Sequence, residues 1–190
     1  LRPEEPQTSS GFIFIRGKPM INLAALAVLL GLSVPQTDAL VATHVSDADI
    51  TTVANAAAED SVTDDSIRLV DAGGYNVGIG IVQRPATNRA SAIQHHALTE
   101  VYRVIAGAGT LVTGGTLINS RELAEDSQVV KVLTGPSDVG QGVEGGSSRR
   151  IVTGDMVIIP AGVPHGFTEI EEDIAYLVVR VDPQQLLQIK

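Results

Sequence analysis

The chain reads as an all-β sandwich or barrel with one short helix ahead of it, and three observations point there. From Ser66 onward, short Val/Ile/Leu runs alternate with turn signals at Gly73-Gly74, Arg84-Pro85, Gly114-Gly115, Gly135-Pro136, Gly145-Gly146, Gly154-Asp155 and Pro160-Ala161-Gly162. Short strands joined by tight turns have this punctuation. Only one segment beyond the leader carries a helical pattern. A length of 190 residues supports one ordinary domain and is too short for two comfortable ones.

The first 39 residues read as a leader. Arg16 and Lys18 precede an apolar run of 14 residues over 21–34, broken by Pro35, Gln36, Thr37 and Asp38 before the small residues Ala39 and Ala42. That run is shorter than the roughly 20 residues a bilayer-spanning helix needs and has the layout of a signal-peptide core. The expectation is a signal peptide cleaved near Ala39 or Ala42, no stable membrane span afterwards, and a secreted or periplasmic protein. Residues 1–19 read as an upstream extension that takes no part in the fold.

Residues 40–65 form an N-terminal helical segment. Ser46-Asp47-Ala48-Asp49, followed by Ile50, Val53, Ala56 and Ala57, has a capping-box start and an amphipathic spacing that runs to about Glu59. Residues 66–183 form the β domain. Its candidate strands are Ile67–Val70, Tyr75–Gln83, Ala92–His96, Glu100–Ala106, Gly109–Thr113, Val129–Leu133, Arg150–Val152, Met156–Ile159 and Ile174–Val181. Thr134–Ser148, rich in Gly and Ser and without large apolar side chains, reads as a mobile surface loop. Residues 184–190 are a C-terminal tail.

Composition narrows the function. With 44% hydrophobic and 18% charged residues the chain is globular. A net charge of −9 excludes the electrostatics of a nucleic-acid or polybasic membrane-surface binder. Removing residues 1–39 leaves ten basic and nineteen acidic residues, so the acidity belongs to the domain itself. The absence of cysteine excludes disulfides, thiolate metal sites and cysteine nucleophiles. Gly78-Ile79-Gly80 sits within a strand pattern and lacks the helix of a phosphate loop, and no Gly-x-Ser-x-Gly motif occurs.

The polar residues a barrel must explain lie in Gln94-His95-His96. In an extended strand Gln94 and His96 share one face and His95 takes the other. Carrying that parity through Ala97, Leu98 and Thr99 places Glu100 and Tyr102 with Gln94 and His96. A small bulge would instead bring His95 to that face. Burying unpaired imidazole and carboxylate costs several kcal/mol, which a divalent cation offsets. Far along the chain, Gly154-x5-Pro160-x-Gly162-x2-His165 delivers another histidine just after a turn that closes an apolar strand.

Together, His96-x3-Glu100-x6-Gly107 and Gly154-x5-Pro160-x-Gly162-x2-His165, with 46 residues between Gly107 and Gly154, resemble the two signature motifs of the cupin superfamily. Gln94 stands where cupins usually carry a first histidine, and Glu169 where an Asn often follows. The match covers Gln94–Glu169 and extends through the flanking strands to most of Ile67–Val181. The resemblance implies a double-stranded β-helix, the jelly roll or cupin barrel, and commonly a homodimer. It also maps His96, Glu100 and His165 onto three metal-ligand positions, with Gln94 as a weak fourth ligand and His95 as the alternative. Two imidazoles and a carboxylate suit Fe2+, Mn2+, Zn2+ or Ni2+ with coordination positions left open.

Two classes of function follow. One is a metal-dependent enzyme acting on a small oxygen-rich organic molecule, by dioxygenase, isomerase, lyase or hydrolase chemistry, with Glu100 and Tyr102 as catalytic candidates. The other is a non-catalytic small-ligand-binding module with a structural metal or none. Tyr102 reads equally as a proton donor and as a core tyrosine with a satisfied hydroxyl. Arg84 and Arg89 border the first motif, where either could hold a carboxylate or sulfate, although surface arginines are commoner. His44 reads as a surface residue, and Arg149-Arg150 and Glu171-Glu172-Asp173 as solvated turns.

Overall fold

The computed structural model describes residues 40–58, 60–87 and 91–189. The leader and Arg89 lie outside them. Helix α1 (Asp47–Asn55) starts where the capping signal predicts. Ser46 Oγ accepts the Asp49 N–H at 3.1 Å, and Asp49 Oδ2 accepts the Ser46 N–H at 2.9 Å, a reciprocal box. No other described helix is longer, and among the described residues none is long and apolar enough to cross a membrane. His44 is exposed.

Eleven strands follow: β1 (Thr63–Asp71), β2 (Asn76–Arg84), β3 (Ser91–His95), β4 (Thr99–Thr113), β5 (Thr116–Leu117), β6 (Arg121–Glu122), β7 (Ser137–Gly140), β8 (Val143–Glu144), β9 (Ser147–Val152), β10 (Met156–Ile159) and β11 (His165–Asp182). All pairs are antiparallel, and the fold is a jelly roll with one short helix before it. The principal sheet runs β1-β2-β11-β3-β7-β6, while β4 joins β11, β9 and β10; β5 and β8 form a separate ribbon.

Two long bent strands organise the barrel. Strand β11 pairs with β2 over Ile174–Asp182 and with β3 over His165–Phe167, and β4 lies along both halves of it. The sequence pattern predicts two strands at Glu100–Ala106 and Gly109–Thr113. They are one, bent at Gly107, whose φ is +75°. A Cβ at Gly107 would lie 2.1 Å from the Asp173 carbonyl oxygen, so only glycine lets β4 and β11 turn together here. β11 likewise begins at His165, well before Ile174, because its charged Glu169–Asp173 stretch continues the ladder with its side chains mostly outward.

The core fills the space between these strands with Val82, Val104, Leu111, Ile151, Phe167 and Val178, all nearly inaccessible. Each large apolar side chain so buried contributes roughly 1.5–3 kcal/mol before the ordering cost. Along the second half of β11, Ile174, Tyr176, Val178, Arg180 and Asp182 alternate inward, and all five are buried.

Two expectations need correction. Val129–Leu133 is no strand: Val130–Thr134 forms a π-type helical turn, closed by the Gly135 N–H on the Val130 carbonyl at 3.0 Å. Ser127 Oγ accepts the Val130 N–H at 3.3 Å and starts the turn, overriding the β propensity of its valines. The Thr134–Ser148 stretch is not a loop throughout; β7 and β8 lie within it, and β7 pairs with both β3 and β6. Tight strand packing accounts for one of its glycines, for a Cβ at Gly140 would lie 2.8 Å from the Ile118 carbonyl oxygen.

Candidate metal centre

Three strand starts and ends converge on one small cavity. His95 closes β3, Glu100 and Tyr102 open β4, and His165 opens β11. The Pro160–Pro164 turn holds the two histidine-bearing segments together, with the Gly162 N–H donating to the His95 carbonyl at 2.7 Å. His95, Glu100 and His165 are 4%, 1% and 2% exposed. The cavity, of about 190 Å3, is also lined by Arg84, Tyr102, Tyr176, Arg180 and Asp64 among others.

The imidazoles are oriented by their outer nitrogens. His95 Nδ1 lies 3.0 Å from the Thr134 carbonyl and 2.9 Å from Ser137 Oγ, and His165 Nδ1 lies 3.0 Å from the Val163 carbonyl. A carbonyl oxygen only accepts, so each Nδ1 carries a proton and each ring turns its Nε2 inward. Those Nε2 atoms stand 3.4 and 3.3 Å from Glu100 Oε2. His165 Nε2 is buried and makes no hydrogen bond. Imidazole nitrogens and a carboxylate oxygen that face one another in a dry interior need a cation or a proton between them. One ligand atom from each of the three residues lies within 4.8 Å of the other two, and two imidazoles with a carboxylate are a divalent-cation donor set. The residues therefore fit a metal ion, held by His95, Glu100 and His165.

Glu100 is braced on every side. Its Oε1 accepts from Arg180 Nε at 2.8 Å, and its Oε2 from the Tyr102 hydroxyl at 2.8 Å. The other nitrogens of Arg180 reach Asp64 at 3.0 and 2.6 Å. Burial by itself would raise the Glu100 carboxyl, but the Arg180 guanidinium beside it outweighs burial and holds it well below the usual carboxylate range. Burial and then the Glu100 charge push the Tyr102 phenol well above its ordinary value, so it stays protonated and donates. Tyr102 stacks on Tyr176 with centroids 4.3 Å apart, and Tyr176 accepts from Arg84 Nε at 3.0 Å.

The sequence-predicted residues divide. Glu100, Tyr102 and His165 come together as expected. His96 does not: its side chain is 39% exposed and its Nε2 lies 3.2 Å from Asp138 Oδ2 on the other side of β3. Gln94 shares that parity and is not among the residues lining the cavity. His95, the alternative ligand, occupies the place assigned to His96. The alternation rule holds inside β3 but does not carry across the bend at His96-Ala97, where the ladder ends and β4 restarts its own parity at Thr99. Arg84, taken as more commonly a surface residue, lines the cavity with its guanidinium 5.5 Å from the Phe167 ring centre. Arg149 and Arg150 lie in β9, not a turn, exposed as expected. Sequence reasoning missed Arg180 and Asp64. The inward alternation of Ile174, Tyr176 and Val178 would have flagged Arg180 as a buried charge in need of partners.

Fold and cavity together define an antiparallel jelly roll with a buried His/Glu/His cluster. Among solved structures the chain is similar to the EutQ protein of Clostridium difficile, at 16% identity over 74% of this chain and 82% of that one, with a TM-score of 0.38. It is also similar to hydroquinone 1,2-dioxygenase from Sphingomonas sp. TTNP3, at 16% identity over 69% and 70% of the two chains and a TM-score of 0.43. A third is the cupin domain of Schizosaccharomyces pombe Cnp3, at 10% identity over 64% and 61%, TM-score 0.40. No family model and no curated protein matches the sequence.

Proposed function

We propose that this chain is an exported single-domain cupin that holds a divalent cation through His95, Glu100 and His165 and acts as an enzyme on a small oxygen-rich organic molecule. One observation carries the reading: the two imidazoles, with their Nδ1 protons committed to backbone carbonyls, aim their Nε2 atoms at Glu100 Oε2, and the buried Nε2 of His165 makes no hydrogen bond. A bound divalent cation supplies a Lewis acid with open positions for a substrate oxygen.

The chain's own residues do the rest. Arg180 fixes Glu100 through Oε1 and leaves Oε2 turned toward the imidazoles. Tyr102, kept as a phenol, holds the same Oε2 and is the nearest proton donor to the cluster. The stacked Tyr102 and Tyr176 rings wall the cavity against water. A volume of about 190 Å3 admits a molecule of only a few carbons.

Elemental analysis of the purified protein tests the metal reading. The expected result is about one equivalent of a divalent transition metal in the parent and in His96→Ala, and none in His95→Ala or His165→Ala. Metal lost from His96→Ala and kept in His95→Ala would overturn the ligand set. Export is tested separately by fractionation of cells and sequencing of the mature N-terminus, expected near residue 40.

A further inference from the structure

We infer that Arg84 is the anion-binding residue of this cavity and that its ligand is a small carboxylate carrying a further oxygen; the inference rests on the metal-centre reading for that second oxygen and for the net positive charge. The two arginines of the cavity are in different situations. Arg180 spends Nε on Glu100 and both terminal nitrogens on Asp64. Arg84 has a single hydrogen bond, from Nε to the Tyr176 hydroxyl, and among the described residues no carboxylate lies within ion-pair distance of it. Its terminal nitrogens have no protein acceptor among the described residues, and a carboxylate is the group such a fork fits.

Charge balance leads the same way. Arg84 and Arg180 against Asp64 and Glu100 make the cavity neutral with both histidines neutral, and a divalent cation brings it to +2. An apolar-walled space of that charge favours an anionic occupant over a neutral one. Position favours it too. Arg84 is fixed by the Tyr176 hydroxyl and lies over the Phe167 ring, two residues beyond His165 on β11. A carboxylate on Arg84 leaves the rest of a small molecule facing the cluster, with Val82, Ile93 and Val139 around its carbon chain.

Calorimetric titration with butanoate, butanamide and 2-oxobutanoate tests this, on metal-free and metal-loaded protein. The metal-free arm isolates Arg84: butanoate should bind at millimolar concentrations, butanamide should not, and Arg84→Gln should weaken butanoate about tenfold or more. Arg84→Lys should keep part of the affinity, which covers the case in which Arg84→Gln does not fold. Equal butanoate affinity in the parent and Arg84→Gln, equal binding of acid and amide, or no binding of butanoate at all would overturn the inference. In the metal-loaded arm, 2-oxobutanoate should bind at least tenfold more tightly than butanoate. If that advantage is missing while the Arg84 dependence holds, the metal-centre reading fails and the anion site stands.

Discussion

Two ion pairs of this protein are chemically the same. Glu100 accepts from Arg180 Nε through Oε1 at 2.8 Å, and Glu171 accepts from Arg150 Nε through Oε1 at 2.8 Å. Both carboxyls are held below their ordinary value by their arginine. The surroundings differ: Glu100 and Arg180 are sealed in the barrel, whereas the Arg150 side chain is 59% exposed. Distance therefore says little about what each pair does. The interior pair cannot fall back on water if one partner goes, and by holding Oε1 it leaves Oε2 facing the two imidazoles. The surface pair can be exchanged for hydration at almost no cost.

The largest expected effect follows from breaking the interior pair on one side. Glu100→Ala strands Arg180 with only the half-open Asp64 and should lower unfolding free energy by about 3–5 kcal/mol in urea titration. Pairing Glu100→Leu with Arg180→Met should restore part of that loss, because both interior charges go together and Asp64, whose side chain is 27% exposed, can be hydrated. A double variant as unstable as Glu100→Ala would show that packing, not charge, holds this corner together.

Acid sharpens the same contrast. Glu100 has a folded-state pKa well below the unfolded value of 4.5, so its stabilising contribution is complete above about pH 4.5 and is lost as pH falls through the lower folded value. Melting temperature of the metal-free parent should drop on that interval, and the drop should persist in high salt because the pair is buried. A drop abolished by salt would place the responsible carboxylates on the surface instead.

Tyr102→Phe comes next. It removes one hydrogen bond to the Glu100 carboxylate and leaves the ring on Tyr176, for an expected loss of about 1.5–3 kcal/mol. No change in stability would mean that Oε2 is satisfied without the phenol.

The sequence made the scaffold legible because turn residues and apolar runs are local signals. Met156–Ile159 emerges with the expected ends, and the capping box at Ser46 forms as its spacing predicts. The site was legible only in part. Glu100 and Tyr102 share a face within one strand, so alternation suffices there. His95 and Glu100 are separated by a bend, and counting residues through a bend transfers parity that the backbone does not keep. Asp64 meets Arg180 across 116 positions, a pairing fixed by the β1–β2–β11 order that no local pattern carries. Thr134 and Ser137 support His95 from a segment whose glycines and serines resemble a loop, because its role is to bring backbone carbonyls close to a buried ring.

The smallest effect belongs to the surface pair, and it completes the comparison. Arg150 donates to both oxygens of Glu171, the best geometry a solvated pair can have. Bidentate geometry in high dielectric still competes with full hydration of both groups and with the side-chain entropy given up to hold them in register. Arg150→Ala should therefore leave the melting temperature within replicate scatter in about 1 M salt, where the screening length falls to roughly 3 Å, and change it only slightly at low salt. A salt-independent loss in Arg150→Ala as large as that of Tyr102→Phe would mean that β9 and β11, which each pair with β4, rely on this contact to stay in place, and that exposure is a poor guide to the strength of an ion pair in this barrel.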